Sequence, residues 1–121
     1  MEPLMTRDEI NAFCAALPGS ECSDPWGGGH DVWKVGDKSY VFMGAEGTGC
    51  SVKCDSQDTA DMLIEVGAAE KAPYLTRGGW VLIRFANLDD DELRHRLKVS
   101  YLTVRRSLTK KFQATLGPEP K

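Results

Sequence analysis

Gly36-Asp37 separates two β-prone runs, Asp31–Val35 and Lys38–Met43, and this two-residue connection constrains the fold more than any other feature of the chain. So short a link must reverse the chain, and glycine accepts the positive φ that such turns demand. The two runs are therefore expected to lie side by side as antiparallel strands. Two further β-prone stretches, residues 49–54 and 79–86, extend the sheet, the second reached through a polar loop containing Pro73 and Gly78.

Helix signals frame these strands. In Met5-Thr6-Arg7-Asp8-Glu9-Ile10, Thr6 is placed as an N-cap, Glu9 as its reciprocal partner and Met5 against Ile10 as a hydrophobic staple. A helix over about 7–17 follows, stopped by Pro18-Gly19. The same grammar recurs at Leu88-Asp89-Asp90-Asp91-Glu92-Leu93, so the acidic cluster reads as helix-start chemistry. A middle helix over about 57–66 starts after Asp55-Ser56 and ends at Gly67, a left-handed C-cap. The order α-β-β-β-α-β-α implies an α+β fold, a two-layer sandwich with a mainly antiparallel sheet and helices packed on one face. At 121 residues, 41% of them apolar, the chain has core enough for one domain, expected over 1–116, with a flexible tail over 117–121.

No apolar run approaches the roughly 18 residues of a membrane span, and no basic start leads into an apolar stretch, so a cytoplasmic protein is expected. Net charge is −3, which excludes a polycation that coats nucleic acid. The distribution is uneven: residues 1–93 carry 7 basic and 17 acidic side chains, residues 94–121 carry 8 basic and one acidic. Arg105-Arg106 with Lys110-Lys111 is the densest basic cluster, either a phosphate-contacting end or a solvated helix terminus. Leu93, Leu97, Tyr101, Val104 and Leu108 share one arc of a long final helix.

Strand alternation sorts the remaining chemistry. Val81, Ile83 and Phe85 share one face of the last strand, leaving Trp80, Leu82 and Arg84 on the other. Cys50, Val52 and Cys54 likewise share a face and read as small buried hydrophobes, with Cys14 and Cys22 also reduced. If these strands are neighbours, Ser51, Lys53, Trp80 and Arg84 form an open basic and aromatic face able to stack bases and attract phosphates. The bland reading of the same residues is a tryptophan packed under the 73–78 loop or the C-terminal segment and a lysine that solubilises the sheet. His30 and His95 belong to no metal-ligand or triad spacing, so neither enzyme activity, a cofactor nor a metal is expected.

Several ordered pieces carry a resemblance: Pro25-Trp26-Gly27, Lys34-Val35-Gly36-Asp37-Lys38-Ser39-Tyr40, Ser51-Val52-Lys53-Cys54-Asp55, Tyr74-Leu75-Thr76-Arg77-Gly78-Gly79-Trp80-Val81 and Ser100-Tyr101-Leu102-Thr103-Val104. Together, over residues 6–111, the chain resembles the bacterial MmcQ/YjbR family. That resemblance implies a fold similar to the frataxin homologue CyaY and DNA binding through a double-wing arrangement. The family's basic and aromatic motif positions match Lys34, Lys38, Lys53, Trp80 and Tyr101. The family commonly has Phe at the position of Trp26 and an Asn-Lys-x-His-Trp type approach to the tryptophan, where this chain has Leu75-Thr76-Arg77-Gly78-Gly79-Trp80; Arg77 could replace the lost lysine.

The first expectation is therefore a monomeric DNA-binding protein using Lys34, Lys38, Lys53, Arg77, Trp80 and Arg84, assisted by Arg105, Arg106, Lys110 and Lys111. Its binding should be weak and salt-sensitive, roughly 10⁻⁴ to 10⁻⁶ M. The alternative is a non-enzymatic small-ligand or protein-interaction module in which the Trp26-Gly27 to His30 loop and the loop before Trp80 frame a pocket. Iron binding at Asp89, Asp90, Asp91 and Glu92 is suggested by fold analogy alone, and capping already accounts for those residues.

Overall fold

The computed structural model describes residues 5–120 apart from 26, 46, 47, 74 and 76. Among these residues the elements run α1 (Arg7–Ala15), β1 (Ser20–Ser23), β2 (Asp31–Val35), β3 (Lys38–Met43), β4 (Gly49–Lys53), α2 (Gln57–Glu65), β5 (Glu70–Lys71), β6 (Trp80–Arg84), α3 (Asp90–Arg106) and α4 (Lys110–Thr115). The strands form one antiparallel sheet in the order β1-β2-β3-β4-β6-β5. The fold is α+β, and the inward residues of the sheet share one core with residues of α1, α2 and α3.

The β2–β3 turn has the backbone its sequence demands: Gly36 and Asp37 both have positive φ, 57° and 66°, and Val35 pairs with Lys38. The caps follow the sequence as well. Thr6 and Glu9 form the reciprocal capping box of α1, and Met5 and Ile10 are buried in the core. Ser56 and Asp89 accept from the third residue of α2 and α3. At the end of α2, Gly67 has φ +80°, and Ala68 and Gly67 donate back to Leu63 and Ile64, closing the helix with a paired C-terminal motif. Inward-facing Val35, Val41, Cys50, Val52, Val81 and Ile83 are each at most 1% exposed, beneath Leu93, Leu97 and Tyr101 of α3.

Three features depart from the sequence reading. Two short edge strands, β1 and β5, were not visible in the sequence, because Ser-Glu-Cys-Ser and Glu-Lys carry no β-branched signature and become strands only by pairing with β2 and β6. The last strand ends at Arg84, and Phe85–Asn87 turns as a single 3-10 unit that still buries Phe85. The final helix is two helices: Ser107 Oγ donates to the Val104 carbonyl and Thr109 caps α4, so hydroxyl side chains compete with the helical ladder at the break. Beyond α4, the Gly117 carbonyl accepts from Arg105 and the Glu119 carboxylate from Arg106.

Candidate functional site

The register confirms that β4 and β6 are neighbours: Lys53 lies opposite Trp80, Ser51 opposite Leu82, and Gly49 opposite Arg84. Because side chains alternate across a strand, Ser51, Lys53, Trp80, Leu82 and Arg84 all belong to the face away from the helices. On β3, Phe42 pairs with Ser51 and joins them. Its ring meets the Trp80 indole edge to face, with centroids 5.4 Å apart and planes at 63°. Ser51, 5% exposed, lies in the same cross-strand row as Phe42 and Leu82, while Phe42, Trp80 and Leu82 remain partly exposed.

Two local devices hold Lys53. A bulge at Tyr40, where pairing shifts from Trp33–Val41 to Lys34–Ser39, interrupts the ladder between β3 and β4. Ser100 of α3 bridges the gap: its hydroxyl donates to the Tyr40 carbonyl at 2.5 Å and accepts from the Lys53 backbone N–H at 2.8 Å. Ser100 is fully buried, so neither backbone group has water as an alternative partner. The second device is the Gly78-Gly79 turn. Gly79 has φ +77°, its carbonyl accepts from Cys54 N at 2.8 Å, and a Cβ there would sit 3.3 Å from two backbone carbonyl oxygens. At Gly78 a Cβ would come within 3.2 Å of Lys53 Nζ, so the lysine amine lies directly over this glycine.

The other expected site residues divide by their place in the sheet. Lys34 is on the outer face, between Ser39 and Glu21 in the ladder. Lys38 turns to the helix side, where Nζ meets Ser107 Oγ at 3.5 Å. Arg77 is exposed beside the Gly78-Gly79 turn, and Lys110 and Lys111 are exposed in the first turn of α4. Among the described residues, none of these six, Lys53 included, makes an ion pair. Arg84 belongs to the opposite end of β6, paired with Glu70 at 3.1 Å and bonded to Thr48. Arg106 forms a two-pronged pair with Glu119 at 2.8 and 2.9 Å.

Arg105 is a correction to the expected basic cluster. It is 2% exposed, donates to Tyr101 Oη at 3.1 Å and to the Gly117 carbonyl, and so anchors the chain end instead of facing a ligand. Helical geometry explains the difference, since Arg105 follows Tyr101 by four residues and shares its buried face. The loop candidates also separate. Trp26 lies outside the described residues; Gly27 has φ +70°, and His30 Nδ1 is 3.0 Å from the Gly27 carbonyl and 3.7 Å from Asp24. This loop enters the sheet at Asp31, opposite Met43, whereas the loop before Trp80 enters opposite Lys53. The two loops thus join the sheet at opposite ends of its strands and not side by side.

Phe42 and Ser100 were not singled out in the sequence. Counting back from inward Met43 and Val41 would have put Phe42 outside, but the bulge makes Tyr40 and Val41 both buried and hides the alternation. The cysteines serve packing: burial pushes the Cys14 and Cys50 thiols up to about 12, and Cys54 is raised by burial against the offset of Arg96, so these three stay protonated at neutral pH. Of the acidic run, Asp89 caps α3, Asp91 lies 3.6 Å from Arg94 and Glu92 lies 3.6 Å from Arg96.

A protein-family model described as YjbR matches residues 15–103. Among solved structures, the Deinococcus radiodurans protein DR2400, with a domain described as DUF419, superposes with a TM-score of 0.83 at 23% identity, covering 96% of this chain and 91% of that one. At that identity the likeness speaks for a shared fold. No curated protein sequence matches significantly.

Proposed function

The chain belongs to the YjbR family, and from that premise we propose that it is a non-enzymatic DNA-binding protein that engages its ligand through the outer sheet face at the end carrying Lys53. The observation behind this reading is the conjunction of two cations, Lys53 and Arg77, that have no acidic partner among the described residues with the partly exposed Phe42–Trp80 pair. Aromatic rings offer any base a stacking surface, and unpaired cations gain most from releasing counterions from phosphate. Lys34 extends the same face, and Lys110 and Lys111 add charge near the β2–β3 turn, where Leu108 and Phe112 pack on Gly36. Lys53 and Arg77 are the principal contacts; Arg84 and Arg106, already paired with carboxylates, contribute little.

Fluorescence anisotropy of labelled DNA at two salt concentrations tests this. Affinity should fall with salt and drop in the Lys53→Ala, Arg77→Ala double variant; binding by the double variant equal to the parent would remove the face from consideration. A small-ligand or protein-interaction role is the second reading, supported by a cleft of about 220 Å³ lined by Gly19, Glu21, Lys34, Gly36, Asp37 and Phe112. Absence of DNA binding, together with a metabolite-induced change in stability lost in Phe112→Ala, would favour it.

A further inference from the structure

Resting on the DNA-binding reading above, we infer that the outer face selects single-stranded over duplex DNA by stacking one unpaired base on the Trp80 indole while Lys53 and Arg77 hold the adjoining phosphates. Three observations lead there. First, the aromatic pair projects from the middle strands of the sheet, with Trp80 on β6 and Phe42 on β3 flanking β4. A duplex keeps its base faces stacked inside and exposes edges and phosphates, so a ring on a sheet reaches a base face there only by unstacking a step, at a cost of a few kcal/mol. A base with a free face can lie against an indole.

Second, the ring planes of Phe42 and Trp80 stand at 63°, so they cannot both join one column of stacked bases. The geometry provides one platform, with Phe42 packed against it at 5.4 Å between centroids. Lys53 is directly across the strand pair from Trp80, which puts it beside that platform, and exposed Arg77 sits on the turn that leads into it.

Third, the charge on this face suits a short stretch of backbone. Among the described residues Lys53 and Arg77 have no carboxylate partner, whereas Lys34, the next cation on the face, stands beside Glu21 in the ladder, and the whole chain carries −3. Duplex DNA presents about one negative charge per 1.7 Å of axis, and a protein holding it by phosphates alone needs many cations. Two contacts give single-strand binding a shallow salt dependence, a slope of log affinity on log salt of about −1.4 at roughly 0.7 per contact.

The test compares labelled oligonucleotides of one sequence as single strand, as duplex, and as a strand with abasic sites throughout, each titrated with the unmodified protein at several salt concentrations. The expected result is single-strand binding about tenfold tighter than duplex binding, quenching of tryptophan fluorescence on saturation, and loss of that tenfold advantage with the abasic strand while the slope stays near −1.4. Trp80→Ala should lower single-strand affinity about tenfold and leave the slope unchanged; Trp80→Phe should recover most of it; Lys53→Ala should flatten the slope by about 0.7. Equal affinity for single strand, duplex and abasic strand overturns the inference and leaves the DNA-binding reading standing. Binding to none of the three at low salt overturns both.

Discussion

At the end of the sheet where β2 begins, Arg7 donates to Asp31 at 2.8 Å and to the carbonyls of Gly29 and Gly44 at 2.6 Å, and Arg84 is held by Glu70 and Thr48. At the other end Lys53 and Arg77 stand without a carboxylate among the described residues, and the precise contacts there involve the backbone of Lys53 through Ser100 and of Gly79 through Cys54. Cations of the first kind have spent their hydrogen-bonding capacity on neighbouring loops and hold them in place. Cations of the second kind are positioned by their main chain while their charged heads stay available. The difference teaches that counting Lys and Arg does not locate a phosphate-binding surface; what matters is which of them the fold leaves unneutralised.

The sharpest way to break this contrast is to remove one cation from each end. Arg7→Ala deletes three charge-assisted hydrogen bonds and should destabilise the protein by about 2–3 kcal/mol, whereas the Lys53→Ala, Arg77→Ala pair should shift stability by only about 0.5 kcal/mol, both read from urea unfolding midpoints. Equal losses would erase the distinction. Ser100→Ala comes next: it strands the Tyr40 carbonyl and the Lys53 N–H in a buried site, a cost of about 1–3 kcal/mol by the same measurement, with weaker DNA binding because Lys53 loses its support.

The paired end should also show in acid. Burial pushes the Asp31 carboxyl up, but hydrogen bonds from Arg7 and Asn11 and the charge of Arg7 outweigh it and hold the group below its ordinary value. Its contribution is therefore complete above the unfolded value of about 3.9 and is lost as pH falls through the lower folded value. Unfolding free energies between pH 5 and 2.5 should fall less steeply in Arg7→Ala than in the parent. The smallest expected effect sharpens the binding side: Arg84→Ala should change DNA affinity less than twofold, since its charge is already matched by Glu70, while Lys110→Ala with Lys111→Ala should lower it about two- to threefold with little change in the salt slope. An Arg84→Ala loss as large as that of Lys53→Ala would mean that the ion pair opens on binding.

Much of this was legible locally. The Gly36-Asp37 turn, the Thr6, Ser56 and Asp89 caps, the Gly67 helix stop and the inward stripe of α3 each depend on residues a few positions apart, and their chemistry admits few alternatives. The outward set Ser51, Lys53, Trp80, Leu82 and Arg84 also followed from period-2 alternation once β4 and β6 were taken as neighbours. What the sequence could not supply was contact across distance. A serine in a helix does not announce that it mends a gap between two strands, and an arginine in a basic run does not announce that a tyrosine one turn earlier draws it inside. The sequence by itself determined the main helices and the four longer strands, their caps and the faces of β4 and β6, because those are set by short-range sterics and hydrogen bonding. The tertiary structure alone decided which cations are neutralised, that Phe42 braces Trp80, and that the two glycine-rich loops join opposite ends of the sheet, because these depend on strand order, on the bulge at Tyr40 and on partners tens of residues away.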